Sequence, residues 1–140
     1  MGDGARERVL AEHLRAENDH DLDGIMATFT PDATLVLNGQ TFTGTDIIRR
    51  AHAALGFGEQ GGFSDLHITE VARHAAPGAI VLEERLSGRH TGTWEGLTAT
   101  GRTFEVPLCT VYQFAADGRL AAEHVYFDSA LLLRQLGVGR

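Results

Sequence analysis

The sequence predicts an α+β fold, with helices gathered toward the front of the chain and antiparallel hairpins toward the back. Three observations carry this. Apolar residues recur at helical spacing up to Leu55, and period-two alternation takes over from Leu66 onward. Asn38-Gly39 and Asp117-Gly118 each lie between strand-like runs, where residues that tolerate positive φ close tight hairpins. The chain has 140 residues, 43% of them hydrophobic, enough for a single domain spanning residues 1–140 around one core.

The first helix is read from Val9, Leu10, His13, Leu14 and Glu17, with Arg6, Glu12 and Arg15 between them. Asp21 is placed to cap a second, short helix with Leu22, Ile25, Met26 and Phe29 on one stripe, ended by Pro31. A strand over 34–37 then pairs through Asn38-Gly39 with a return arm over 40–43. Thr45 is expected to cap a third helix carrying Ile47, Ile48, Ala51 and Leu55. Gly56-Phe-Gly-Glu-Gln-Gly61 has the G-x-G-x-x-G form, but it leaves a helix and precedes a strand. A dinucleotide site needs the reverse, so the segment is read as a flexible loop near a cavity mouth. Strands are expected over 66–73, 80–94, 104–114 and 120–127, and a terminal helix over 129–136, stopped at Gly137.

Charge and composition exclude several partners. The net charge of −7 argues against nucleic acid and anionic membrane surfaces, which are bound by clustered Lys and Arg. No window approaches the ~18 apolar residues of a membrane span, and the first residues lack the apolar core of a signal peptide. Cys109 is the only cysteine, so no internal disulfide forms and a cytoplasmic setting is expected. Cys109 has no sequence-adjacent base that would make it a nucleophile.

The long strand separates cleanly into two faces. Ile80, Leu82, Glu84, Leu86, Gly88, His90, Gly92 and Trp94 share one, and Val81, Glu83, Arg85, Ser87, Arg89 and Thr91 share the other. The first is apolar except for Glu84 and His90. A histidine on an apolar wall beside Trp94 suggests a ligand cavity, although a hydrogen-bonded core histidine explains it equally well. In the final strand, Ala121, Glu123, Val125 and Phe127 alternate with Leu120, Ala122, His124, Tyr126 and Asp128, and periodicity alone does not choose the inner side. The histidines show no metal-ligand spacing, and His13 and His20 are expected at the surface.

Gly88-Arg-His90-Thr-Gly-Thr-Trp94-Glu-Gly96, Thr100-Gly-Arg102, Asp117-Gly118, Tyr126-Phe-Asp128 and Arg134-Gln-Leu-Gly137 together resemble the SnoaL-like polyketide cyclases of the nuclear transport factor 2-like superfamily. Phe29-Thr-Pro-Asp-Ala33 and Phe42-Thr-Gly44 fit the same pattern. The resemblance implies a cone-shaped barrel, in which a curved antiparallel sheet wraps around about three helices and encloses one deep pocket. It implies a homodimer paired through the sheet, a small hydrophobic substrate and no metal or other cofactor. It also implies aldol-type ring closure of a polyketide ester by general acid–base catalysis. The family's acid–base aspartate matches Val125 here, which transfers no proton. The matching puts Glu123, Val125 and Phe127 on the pocket side, with Glu123 about 6–7 Å along the strand from the missing carboxylate.

The candidate catalytic residues are therefore Glu123, His90 and Glu84. Glu123 acts as acid or base, or pairs with an arginine such as Arg85 or Arg102. His90 contacts a substrate carbonyl or moves a proton. Glu84 lies deeper, in an ion pair or as a carboxylic acid of raised pKa. Trp94, Val125 and Phe127 are candidate substrate-binding walls. Asp128 is either catalytic or the cap of the last helix, and His124 and Tyr126 are expected to face outward into a dimer contact. Three functions compete on this scaffold: a cyclase-like enzyme acting on a small apolar carbonyl compound, an isomerase or epoxide hydrolase, and a non-catalytic small-molecule-binding protein.

Overall fold

A computed structural model describes residues 3–138. The elements run α1 (Asp3–Asn18), α2 (Leu22–Met26), β1 (Phe29–Leu37), β2 (Gln40–Thr43), α3 (Thr45–Leu55), β3 (Phe63–Ala76), β4 (Ala79–His90), β5 (Thr103–Phe114), β6 (Leu120–Phe127) and α4 (Ser129–Gln135). The six strands form one curved, unclosed sheet in the order β2-β1-β6-β5-β4-β3. The sheet is mixed: β1 and β6 pair in parallel, and every other neighbouring pair is antiparallel. No helix is long and apolar enough to cross a membrane among the described residues.

Local chemistry sets most boundaries. Asp21 caps α2, its carboxylate accepting from the Gly24 N–H at 2.9 Å. Asp128 caps α4 in the same way, accepting from the Leu131 N–H at 3.0 Å. Asn38 and Gly39 both take positive φ, as the β1–β2 hairpin requires. The Asn38 side chain then donates to the Phe127 carbonyl and accepts from the Phe127 N–H, tying the turn to β6.

Some boundaries differ from expectation. Phe29 and Pro31 belong to β1, not to the end of α2. Pro31 is tolerated because it falls between Phe29 and Thr34, where the pairing with β6 shifts and no ladder N–H is needed. The α3 cap is Gly44, not Thr45: the chain leaving the hairpin takes φ 93° there, and no side chain caps the helix. β4 ends at His90 instead of running on to Trp94. The chain turns at Gly92, where a Cβ would lie 2.2 Å from the Gly61 carbonyl oxygen, and Trp94 and Leu97 close a small turn with two backbone hydrogen bonds.

The inner face of the sheet and α1, α3 and α4 enclose the core. Leu10, Ile48, Leu82, Leu120 and Leu136 are fully or almost fully buried in it. The expected alternation in β4 holds to His90: Ile80, Leu82, Glu84 and His90 are buried, and Glu83, Arg85 and Arg89 are exposed. α1 buries Leu10, His13, Ala16 and Glu17. His13 is therefore interior, not a surface residue, because it shares the inward helical stripe with Leu10 and Glu17.

Candidate active site

A cavity of about 820 Å³ lies between the sheet and the helices. Its walls are apolar and include Leu35, Phe57, Leu66, Leu108 and Leu132. Gln40, Thr93 and Glu95 line it while remaining exposed, and they mark the mouth. The buried lining residues Glu17, His52, Glu84, Thr110, Tyr112 and Glu123 form a polar floor. Trp94, Val125 and Phe127 are all on the lining. Phe57, from the glycine-rich loop after α3, lines it as well.

Each polar floor residue is brought there by the inward face of its element. Glu17 lies one helical turn beyond His13 on α1, and His52 lies one turn beyond Ile48 on α3. Glu123 stands opposite Tyr112 in the β5–β6 ladder, and Glu84 stands opposite Leu108 in the β4–β5 ladder. Behind the lining, His13 completes a cluster. Its Nε2 is 3.2 Å from Glu17 Oε2 and 3.6 Å from Glu123 Oε2. His52 Nε2 is 3.5 Å from Glu123 Oε1 and 3.7 Å from Glu17 Oε2.

The outer hydrogen bonds fix both imidazoles. His52 Nδ1 is 2.9 Å from the Ile48 carbonyl, which only accepts, so Nδ1 carries a proton. Thr28 Oγ1 donates to the Ile25 carbonyl at 2.6 Å, so it accepts from His13 Nδ1 at 2.9 Å. Both Nε2 atoms therefore face the carboxylates, as lone pairs when the rings are neutral and as N–H donors when they are charged.

Burial opposes charge on both rings, but the two glutamates outweigh it, raising His13 to about 10 and His52 to about 9. Burial pushes the Glu123 carboxyl up, and the two imidazoles overcome this and hold it well below the usual carboxylate range. Glu84 has no imidazole within ion-pair distance among the described residues. Desolvation, assisted by the negative charge of Glu17 and Glu123, raises it to about 8 despite the 2.8 Å hydrogen bond from Thr110 Oγ1, and His13 lowers it only weakly. Among the floor carboxyls, the ionised form is thus favoured at Glu123 and the protonated form at Glu84 near neutral pH. Glu123 Oε1, Glu84 Oε2 and Glu17 Oε1 are buried and lack a hydrogen-bond partner.

The imidazoles beside Glu123 are those of His13 and His52, not that of His90. His90 is fully buried, but it does not line the cavity. Its Nδ1 accepts from the Thr100 N–H at 3.3 Å and lies 3.1 Å from Thr100 Oγ1, while its ring packs on Phe63 with centroids 5.4 Å apart. Among the described residues Glu123 has no arginine partner: Arg85 and Arg102 are exposed, and Arg85 faces Glu105 at 3.9 Å. His13, Glu17 and His52 were not legible as site residues. The available signal was a polar residue at an inward position of each amphipathic helix.

An open sheet curled around helices, with an apolar cavity that ends on titratable side chains, places the chain among α+β proteins with one deep pocket. The SnoaL-like domain profile matches residues 10–123, and the chain belongs to that family. It is similar in structure to TsrD from Streptomyces laurentii, at 23% identity over 99% of both chains with a TM-score of 0.83. It is also similar to a SnoaL-like polyketide cyclase candidate from Jannaschia sp. CCS1, at 18% identity over 98% of this chain and 94% of that one, with a TM-score of 0.85. SalBIII, an epoxide hydrolase/cyclase-like enzyme of pyran ring formation in the polyether salinomycin, aligns at 16% identity over 90% of this chain and 92% of its own, with a TM-score of 0.75. At these identities the similarity shows the fold. No curated protein matches the sequence.

Proposed function

We propose that this SnoaL-like chain is an enzyme that carries out general acid–base chemistry on a small, largely apolar carbonyl compound of polyketide type. One observation carries the reading: at the floor of an apolar cavity, Glu84 Oε2 is buried without a hydrogen-bond partner, on the same floor as a Glu123 carboxylate whose close neighbours are the His13 and His52 imidazoles. Buried polar atoms are rarely left unpaired, and a bound substrate would pair this one. The reaction that suits the floor is aldol-type ring closure. The Glu123 carboxylate takes the proton from a carbon between two carbonyls as the His52 imidazolium turns from it to the enolate oxygen, which stabilises the enolate and raises the basicity of the carboxylate. Protonated Glu84 then gives its proton to the alkoxide formed at the target carbonyl. One proton has moved from Glu84 to Glu123, and its return restores the site. Trp94, Val125 and Phe127 hold the chain in its folded shape, and such positioning can remove on the order of 7–11 kcal/mol of barrier in ideal cases. His90, tied to Thr100, is assigned to holding the 91–100 segment in place rather than to the proton transfers.

The floor also suits an isomerase, because the environments of Glu123 and Glu84 favour opposite protonation states. The test is turnover of β-keto ester substrates by the wild type and by Glu123→Gln and Glu84→Gln, with folding checked by circular dichroism. Loss of ring closure in both folded variants supports the cyclase reading. Solvent deuterium exchange without ring formation favours the isomerase. Thermal stabilisation by such compounds without turnover or exchange identifies a binding protein and overturns both.

A further inference from the structure

We propose that His13, Glu17, His52 and Glu123 form a binding site for one divalent transition-metal ion of the zinc type. The inference uses the same cluster as the proposed reaction but does not rest on that reaction: with an ion bound, Glu123 and His52 are ligands, so the acid–base chemistry belongs to the metal-free chain. One ligand atom from each of the four residues can be chosen so that all lie within 4.8 Å of one another. The nitrogen–oxygen separations across the cluster are 3.2, 3.5, 3.6 and 3.7 Å. Bonds of about 2.0–2.2 Å to zinc in tetrahedral geometry place ligand atoms roughly 3.3–3.5 Å apart, close to these four separations, although Glu123 approaches His13 through Oε2 and His52 through Oε1, and a set of one atom per residue closes inward from within 4.8 Å when an ion binds.

Three further observations point to an ion. Metal-bound imidazoles donate their other N–H to a fixed acceptor, and here Ile48 O and Thr28 Oγ1 supply those acceptors, leaving both Nε2 atoms aimed inward. Glu17 Oε1 is buried with no hydrogen-bond partner, and the approaches made to His13 Nε2 and Glu123 Oε1 are the cluster's own imidazole–carboxylate pairs. Two carboxylates and two neutral imidazoles around a divalent ion also sum to zero charge, which suits an apolar interior. The donor set of two nitrogens and two oxygens fits zinc, cobalt or iron(II) better than magnesium or calcium, which take oxygen ligands. Glu17, His52 and Glu123 line the cavity and His13 lies behind them. The ion would therefore lie at the cavity floor with its four tetrahedral positions filled by protein, as in a structural site. The ligands come from α1, α3 and β6, which is why their spacing in the sequence carries no metal signature.

The test uses the full chain, free of any affinity tag and stripped with a chelator, titrated with cobalt(II). Calorimetry and visible absorption should report one cobalt(II) per chain with the strong bands of a low-coordinate site, displaced by zinc(II). Affinity should fall more than about 100-fold in His13→Gln and Glu17→Gln and remain unchanged in Glu84→Gln. If either variant fails to fold, His52→Gln and Glu123→Gln probe the same set from the other elements. A folded wild type without stoichiometric binding overturns the proposal, as does binding that survives loss of these ligands. Turnover by the stripped chain would leave the acid–base reading standing whatever the metal result, and metal binding without turnover would leave this inference standing alone.

Discussion

His52 Nε2 stands 3.5 Å from Glu123 Oε1, although the histidine comes from α3 and the glutamate from the middle of β6. Both side chains are almost fully buried, so each depends on the other for its charge. Removing one partner of a buried ion pair costs about 3–5 kcal/mol, because the survivor is left uncompensated. Glu123→Gln and His52→Gln in the metal-free chain should each lose stability on that scale. The double variant should lose less than the sum of the two, by on the order of 1–3 kcal/mol. Urea unfolding of the four proteins measures this, and additive losses would show the pair to be energetically independent.

The same cluster sets how the metal-free chain responds to pH. His13 and His52 are raised from 6.5 to about 10 and about 9, so their contribution is complete below pH 6.5 and is lost as pH rises through 9–10. Glu123 is lowered from 4.5, so its contribution is present above pH 4.5 and is lost as the medium becomes more acidic. The melting temperature should peak in mildly acidic solution and fall steadily from neutrality toward pH 9. A flat profile between pH 6.5 and 9 would show that neither imidazole is held charged.

Glu84 has the opposite sign from Glu123. Its carboxyl is raised from 4.5 to about 8, so between those values the unfolded chain releases a proton that the folded chain keeps, and stability drains away as pH rises. Glu84→Gln removes this cost, and its amide oxygen can still accept from Thr110 Oγ1. The variant should be more stable than the wild type at pH 7 by on the order of 2 kcal/mol, with little difference at pH 4.5. It should also lose turnover, separating catalytic value from stability at one position.

How much of this could be read in advance follows from the range of the interactions. The Asp21 and Asp128 caps and the Asn38-Gly39 turn are decided within a few residues, and they stand where the sequence puts them. Period two placed Glu84 among the inward residues of β4 and left Glu83 and Arg85 outside. In β6 periodicity leaves the inner side open, the family resemblance puts Glu123, Val125 and Phe127 on the pocket side, and all three line the cavity. The His13–Glu17–His52 group was hidden for a different reason. A polar residue on a helix stripe looks solvent-facing until another element supplies its partner, and these partners lie on α1, α3 and β6. Trp94 reaches the cavity through the turn after Gly92 rather than along β4.

The outer face of the sheet offers a test of self-association. Tyr126 is 46% exposed and pairs in register with Cys109, on the opposite side of β6 from Glu123 and Val125. If two copies of the chain pair through their sheets, this aromatic side chain lies in the contact. An acidic replacement would then cost on the order of 2 kcal/mol or more. Sedimentation of the wild type should show a dimer, and Tyr126→Glu should shift it toward monomer. A monomeric wild type at the same concentration would rule out that pairing.

At the cavity mouth, Gly62 is held against Trp94. A Cβ on Gly62 would lie 2.6 Å from Trp94 Cβ, while the Gly62 carbonyl accepts from the N–H groups of Thr91 at 3.2 Å and Gly92 at 3.0 Å. The backbone is pinned, so Gly62→Ala must displace the tryptophan. Trp94 lines the cavity among exposed neighbours, whereas Glu123 and Glu84 lie on the buried floor. The variant should weaken ligand binding about tenfold, equal to about 1.4 kcal/mol of lost contact. It should change kcat far less, since uniform binding is lost while the acid–base groups stay in place. The glycine-rich loop that carries Phe57 should also exchange its amide hydrogens more slowly once ligand is bound, because Phe57 lines the same cavity. Equal exchange with and without ligand, together with a fall in kcat at constant KM in Gly62→Ala, would mean that Trp94 and this loop influence the floor and do not guard the mouth.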